Sequence, residues 1–402
     1  MGDAARETAW PFTTRRRADD CPLALRLGDA RSTTVRSSAP ESFIQHPNCR
    51  PALSRTRPGS VRDLGTPAVT RPAPLLDAHL SADPRTVAAS ARAAEAAGVH
   101  ALWLPEIAHD PLVGAALAAA HTTRPLVGTA IALAFVRSPT ALAYAAWDLA
   151  LLSGGRFVLG LGSQVRAHVE RRFGMPFDPP LLRMRDTVAA IRAVWQAWRT
   201  GAPLRHEGPC YRLSLMTPFF TPPPLPSPIP IYLAAVNRAM CRLAGEVADG
   251  IHVHPFHTRA YLEAVILPAV HQGGARAGRA PEAVTVAVSV IAAPTDGPDA
   301  ERLLAEARQL VAFYASTPAY RPVLAHHGWE RLGERLSRLA AAGRWDAMGT
   351  LVTDEVLETV AVVAPRAQLR ERLLARGAGL ADRVAPHHPF APGDPLWQAL
   401  RL

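Results

Sequence analysis

Four short stretches of the chain carry residue types that could do chemistry. In Glu106-Ile107-Ala108-His109-Asp110-Pro111 a carboxylate stands three residues before a histidine. An imidazole titrates near neutral pH and can give or take a proton, so His109 is a candidate acid or base, with Glu106 either orienting it or acting as the acid itself. The same residues also read as a plain loop in which Asp110 caps the next helix, with Pro111 in its first turn. Gly160-Leu161-Gly162-Ser163 offers two glycines that let a ligand approach the backbone, and amides at Gly162 and Ser163 that can bind oxygen. Arg166 follows, and its guanidinium matches a phosphate bidentately, a basic surface helix being the plain alternative. Ala235-Val236-Asn237 leads into a helix that Asn237 would cap, and the free amides at such a start attract phosphate. Last comes His252-Val253-His254-Pro255-Phe256-His257-Thr258. His252 and His254 alternate along a strand, but two histidines without a third convergent ligand make no metal site, so none is expected.

These stretches can serve one site only if a regular frame brings them to one end. From residue 75 onward apolar runs of strand length alternate with helical ones. Strands are expected at 75–80, 101–104, 126–134, 156–161, 229–235, 250–254, 284–292 and 381–385. Helices are expected at 84–97, 111–121, 139–152, 180–200, 238–248, 259–277, 299–315 and 366–376. The strands are apolar throughout rather than alternating, as when both faces are buried. Eight such repeats fit an α/β fold, a (β/α)8 TIM barrel, whose active residues sit at the C-terminal ends of the strands. A doubly wound sheet would show a glycine-rich turn after its first strand, and His79-Leu80-Ser81-Ala82-Asp83-Pro84 holds no glycine.

Two insertions interrupt the repeat, one near 204–227 with a hairpin-like piece and a proline-rich rim, the other near 320–353 and mostly helical. Residues 1–73 lack periodicity and scatter Arg, Ser, Thr and Pro, a composition that favours disorder. The barrel is therefore expected over 74–402, behind an unstructured extension.

Four segments in order carry a resemblance: Ala94-Glu95-Ala96-Ala97-Gly98-Val99-His100-Ala101-Leu102-Trp103, Ser153-Gly154-Gly155-Arg156-Phe157-Val158-Leu159-Gly160-Leu161-Gly162, Ile229-Pro230-Ile231-Tyr232-Leu233-Ala234-Ala235 and Leu243-Ala244-Gly245-Glu246-Val247-Ala248-Asp249-Gly250. From about residue 75 to its end the chain resembles the luciferase-like monooxygenase superfamily, in particular its coenzyme F420-dependent oxidoreductase branch. The resemblance implies a barrel that binds a deazaflavin edge-in at its C-terminal face and passes hydride to or from a small organic substrate. It places Glu106 and His109 beside the cofactor ring. It also implies a non-prolyl cis peptide at the end of the third strand, which by position falls at Ala130–Ile131. Cofactor contacts are implied for Ala130, Ile131, Gly160, Gly162, Ser163, Arg166, Ala235, Val236, Asn237, His254 and His257. Relatives often have a glycine pair where this chain has Ala235-Val236, and a lysine near His257 and Thr258, whereas this chain has no lysine. The alternatives are an FMN-dependent monooxygenase of the same fold that works with a separate reductase, and a flavin-binding barrel without turnover. Dimers are common among relatives, which sets a homodimer as the expectation.

Composition removes other classes. The net charge of +10 comes from arginine alone, and no basic helix with interleaved aromatics or nucleic-acid signature accompanies it, so nucleic acid is not the expected partner. No apolar run reaches the length of a membrane span. Cys21, Cys49, Cys210 and Cys241 lie far apart and make neither a disulfide framework nor a metal site. With no apolar signal core near the start, a cytoplasmic enzyme is the expectation.

Overall fold

Proline, aspartate and serine open the helices where the sequence places them. In the computed structural model, which describes residues 71–400, Asp110 accepts from Leu112 N at 2.8 Å and Pro111 starts α2 (Pro111–Ala120). Ser138 does the same for Ala141 at the head of α3 (Pro139–Leu152). The expectation of an unstructured extension falls, for 1–70, outside the described residues.

Eight parallel strands form the frame. The first, β1, runs as Leu75–Leu76 and Ala78–His79, broken only at Asp77. Then come β2 (Ala101–Leu104), β3 (Leu126–Thr129), β4 (Phe157–Gly162), β5 (Ile231–Ala235), β6 (Gly250–Val253), β7 (Thr285–Val290) and β8 (Arg383–Pro386). Each pairs with its sequence neighbours. The halves of β1 face opposite ways: Leu75 and Leu76 pair with β8 while Ala78 and His79 pair with β2, which closes the ring. The helices α1 (Val87–Ala96), α2, α3, α4 (Pro180–Thr200), α5 (Arg238–Val247), α6 (Leu267–Arg276), α7 (Ala300–Ser316) and α8 (Arg366–Gly377) complete the expected (β/α)8 barrel. Between barrel and helices lies one continuous core that includes Leu102, Leu104, Phe157, Leu159 and Trp147.

The chain departs from the expected elements in instructive places. The third strand stops at Thr129; a cis peptide joins Ala130 to Ile131, and Ala132–Leu133 resumes pairing with β4. The helix expected over 259–277 contains a π-helical turn at Leu262–Ile266 before α6 begins. The seventh strand ends at Val290, and Ala292–Pro294 leaves the barrel to pair with Val362–Ala364, a strand the sequence reading lacked. The first insertion holds the expected hairpin, His206–Glu207 against Arg212–Leu213. The second is helical at Arg321–His326 and Glu330–Ala341. No described helix is long and apolar enough to cross a membrane.

Candidate functional site

The C-terminal ends of the strands surround a cavity of about 180 Å³, lined by Asp77, His79, Trp103, Ala130, Ile131, Ala234, His252, His254, Ser289, Arg383 and His387 among others. Its floor is charged but closed. Arg383 donates to both Asp77 oxygens at 2.8 and 2.9 Å, and Trp103 Nε1 donates to Asp77 at 2.9 Å. Burial raises the Asp77 pKa, and the Arg383 charge and hydrogen bonds and the Trp103 hydrogen bond offset only part of that. His252 stands edge-on to Trp103 at 4.7 Å.

Above the floor the β1 and β6–β8 side is built from neutral rings. His79 Nε2 lies 3.1 Å from Ser289 Oγ, Ser289 Oγ 3.0 Å from His387 Nδ1, and His387 Nε2 2.9 Å from the Tyr314 hydroxyl. His254 Nδ1 accepts from Phe256 N at 3.1 Å, so its proton sits on Nε2 and is donated to Tyr320 at 2.8 Å. Burial pushes His79 down to about 4, His252 and His254 to about 3, and His387 well below the usual imidazole range. Burial likewise raises the Tyr314 and Tyr320 phenols. These side chains are neutral at physiological pH.

On the opposite side the structure gives Glu106 a task other than meeting His109. Its carboxylate accepts from Leu133 N at 2.8 Å and from Arg137 at 2.7 and 3.0 Å, while its own N–H donates to Ile131 O at 3.2 Å. Glu106 thus pins both ends of the cis segment. His109 stands at the rim, outside the cavity lining, with Nε2 3.9 Å from Asp83. Ala130 and Ile131 form the cavity wall.

The two glycines serve packing. A Cβ on Gly160 would meet Thr129 O at 1.8 Å, and one on Gly162 would meet Ile131 Cδ1 at 2.6 Å, so β4 is bare where the bulge presses on it. Ser163 Oγ donates to the neighbouring Gln164 O. Arg166 is engaged by Glu170 and Asp178 on the surface. Ala235 and Val236 are buried, and Asn237 caps α5 through Met240 N at 3.0 Å. That leaves Arg238, the exposed first residue of α5, as a basic group the sequence reading passed over. His257 is buried, donating Nδ1–H to His254 O at 2.8 Å, with Nε2 unpartnered among the described residues.

The residues fit a flat heteroaromatic ring at the bulge. Ala130, Ala234, Ala287 and Ala385 keep the cavity walls free of bulk. The cavity is smaller than the roughly 300–1,000 Å³ of sites that enclose a drug-sized ligand, so only a ring edge enters and the rest must cross the rim. A larger hollow of about 590 Å³ opens at the other end of the barrel, beside Trp195, Arg192 and Asp249. Residues at that end of a barrel serve stability rather than chemistry, and Arg192 and Asp249 are already paired there.

With the site in view, comparison with known proteins places the chain. Residues 64–383 match the family model of the luciferase-like monooxygenases. The chain belongs to that family. An uncharacterized protein of Mycobacterium tuberculosis is 47% identical over 305 residues, covering 74% of this chain and 89% of that protein. A putative coenzyme F420-dependent oxidoreductase of the same organism is 29% identical over 314 residues, 72% of this chain and 87% of that protein. Among solved structures, the coenzyme F420-dependent tetrahydromethanopterin reductase of Methanopyrus kandleri superposes with a TM-score of 0.67 at 22% identity, covering 82% of this chain and 97% of that one. This luciferase-like chain therefore shares the barrel of F420-dependent reductases as well as the family of the monooxygenases.

Proposed function

We propose that this luciferase-like protein is an F420-dependent oxidoreductase that moves a hydride between the deazaflavin and a small organic substrate at the barrel mouth. The observation that carries the reading is the narrow cavity at the C-terminal ends of the strands, whose walls at Ala130, Ala234, Ala287 and Ala385 are free of bulk and whose Ala130–Ile131 side is held by Glu106. When bound, the deazaflavin supplies the hydride donor or acceptor; the protein binds, orients and excludes water. Ala130 and Ile131 would support the ring. The amides around Ala235, Val236 and Asn237 would receive the anionic end of the cofactor, with Arg238 adding charge. His254 and His257 have their donors committed to Tyr320 and to His254 O, so they would shape this wall rather than hydrogen-bond the ligand strongly. His109, open to water at the rim, would exchange protons with solvent.

The reading is tested by titrating the full chain with F420 and, separately, with FMN, following cofactor fluorescence. Micromolar F420 binding with weak FMN binding is the expected result. The reverse preference overturns it in favour of an FMN-dependent monooxygenase served by a reductase. With F420 bound, His109→Ala is expected to slow single-turnover cofactor reduction or oxidation more than it weakens binding. An unchanged rate removes His109 from the mechanism.

A further inference from the structure

We propose that His79 is the group that binds and polarises the substrate's oxygen, making a carbonyl compound, or the alcohol formed from it, the substrate class. The proposal rests on the mouth being the reaction site. One hydrogen-bonded train, from Tyr314 through His387 and Ser289, decides which nitrogen of His79 carries the proton.

Tyr314 is half-buried on α7, and its hydroxyl has a single hydrogen-bond partner among the described residues, His387 Nε2. A phenol proton shielded from water and left without an acceptor is costly, so Tyr314 donates and His387 Nε2 accepts. A neutral imidazole has one N–H, which for His387 must then be on Nδ1. That N–H donates to Ser289 Oγ, and the Ser289 hydroxyl is left to donate to His79 Nε2. The proton of neutral His79 must therefore be on Nδ1.

No described residue accepts from His79 Nδ1, and His79 is a lining residue of the cavity only partly shielded by its neighbours. The contrast with His254 is direct, since both nitrogens of that ring are taken, by Phe256 N and by Tyr320. His79 thus offers the mouth an N–H whose orientation is enforced from three residues away. Burial keeps the ring neutral, with a pKa near 4. A neutral imidazole N–H aimed at a carbonyl oxygen stabilises the negative charge that grows there as hydride reaches the carbon, without surrendering its own proton; the alkoxide so formed takes its proton from water at the rim, and in the reverse direction the alcohol returns it there. Ser289, His387 and Tyr314 are positioning residues that act through His79. None was singled out by the sequence reading, because they come from β7, the segment after β8, and α7.

The test is the tautomer itself, which does not depend on any cofactor. In the full chain labelled with heavy-nitrogen histidine, long-range proton–nitrogen spectra distinguish Nδ1–H from Nε2–H, and His79→Gln identifies the signal. His79 is expected as the neutral Nδ1–H form near neutral pH. Tyr314→Phe and Ser289→Ala are expected to turn it into a mixture or into the Nε2–H form. An Nε2–H His79 in the unmodified protein, or a His79 signal unmoved by both variants, overturns the train. Cyclohexanone added with F420 is expected to shift the His79 Nδ1 resonance. A His79 signal that stays in place while F420 binds overturns the substrate class. Failure of F420 to bind overturns the cofactor reading alone, and the tautomer result still decides the train.

Discussion

On the β2–β4 arc of the mouth the polar groups are charged and paired: Glu106 with Arg137, Arg137 with Asp110, and Arg166 with Glu170 and Asp178. Across the cavity, above the paired Asp77 and Arg383 of the floor, the β1 and β6–β8 side carries imidazoles, phenols and a hydroxyl that are neutral and joined by hydrogen bonds between 2.8 and 3.1 Å. The difference follows burial. Charge is inexpensive where water or a close partner solvates it, and expensive where neither does, so the enclosed arc keeps its titrating groups uncharged. One arc should then answer to salt and carboxylate substitutions, the other to pH.

The largest effect should come from acid. His79, His252, His254 and His257 have folded pKa values of about 4, 3, 3 and 3, against a reference of 6.5. Below 6.5 the unfolded chain binds protons that the folded chain refuses. Their stabilising contribution is thus complete above 6.5 and is lost as pH falls toward 4 and 3. Each contributes at most about 1.4 kcal/mol per pH unit, and stability should fall steadily from pH 6.5 downward. Urea midpoints at pH 7.5, 6 and 5 would show the decline. A flat profile over that range would mean that the arc takes up protons without unfolding, and the contrast between the arcs would fail. Glu246 and Asp394, whose pKa values are lowered from 4.5 and 3.8, give way only below this window.

A smaller effect should come from Glu106. Glu106→Ala strands the Leu133 amide and leaves Arg137 with Asp110 and a long bond to Leu133 O, and breaking a nearly buried pair in this way costs about 3 kcal/mol. Glu106→Gln keeps an acceptor for Leu133 and should cost about 1–2 kcal/mol less. Denaturant unfolding of both variants sharpens the comparison. If alanine costs no more than a surface change of about 0.5 kcal/mol, Glu106 is not the clamp of the Ala130–Ile131 bulge.

The frame was legible because its signals are local. Apolar runs of strand length, Asp110-Pro111 and Ser138-Pro139 as helix starts, and Asn237 as a cap are each read within a few residues, and each stands where expected. The position of the cis peptide was legible only through resemblance, since nothing in Thr129-Ala130-Ile131-Ala132 itself asks for it. The histidine arc was not legible. His79, Ser289, His387 and Tyr314 are separated by 73 to 210 residues along the train, and closure of the barrel alone brings them together. A signal did exist in Asp77 and Arg383, two charged residues inside apolar strands, because a buried charge demands a partner. Glycines misled in the other direction. Gly160 and Gly162 read as room for a ligand, whereas Thr129 and Ile131 occupy that room.

Arg166 gives the smallest expected effect and the finest division between the arcs. Its residue type suits a phosphate, yet its guanidinium already has two carboxylates, and all three side chains are about half exposed. Exposed pairs of this kind contribute little to folding and weaken with salt. Arg166→Ala should therefore leave the unfolding midpoint unchanged in low and in high salt. Affinity for F420, read by the same fluorescence titration, should stay within about twofold, whereas Arg238→Ala, which removes a cation at the start of α5, should weaken it by more. A loss of about tenfold or greater in Arg166→Ala would mean that the guanidinium leaves Glu170 and Asp178 for the ligand. The charged arc would then be a binding surface that moves, rather than a rim that pairs with itself.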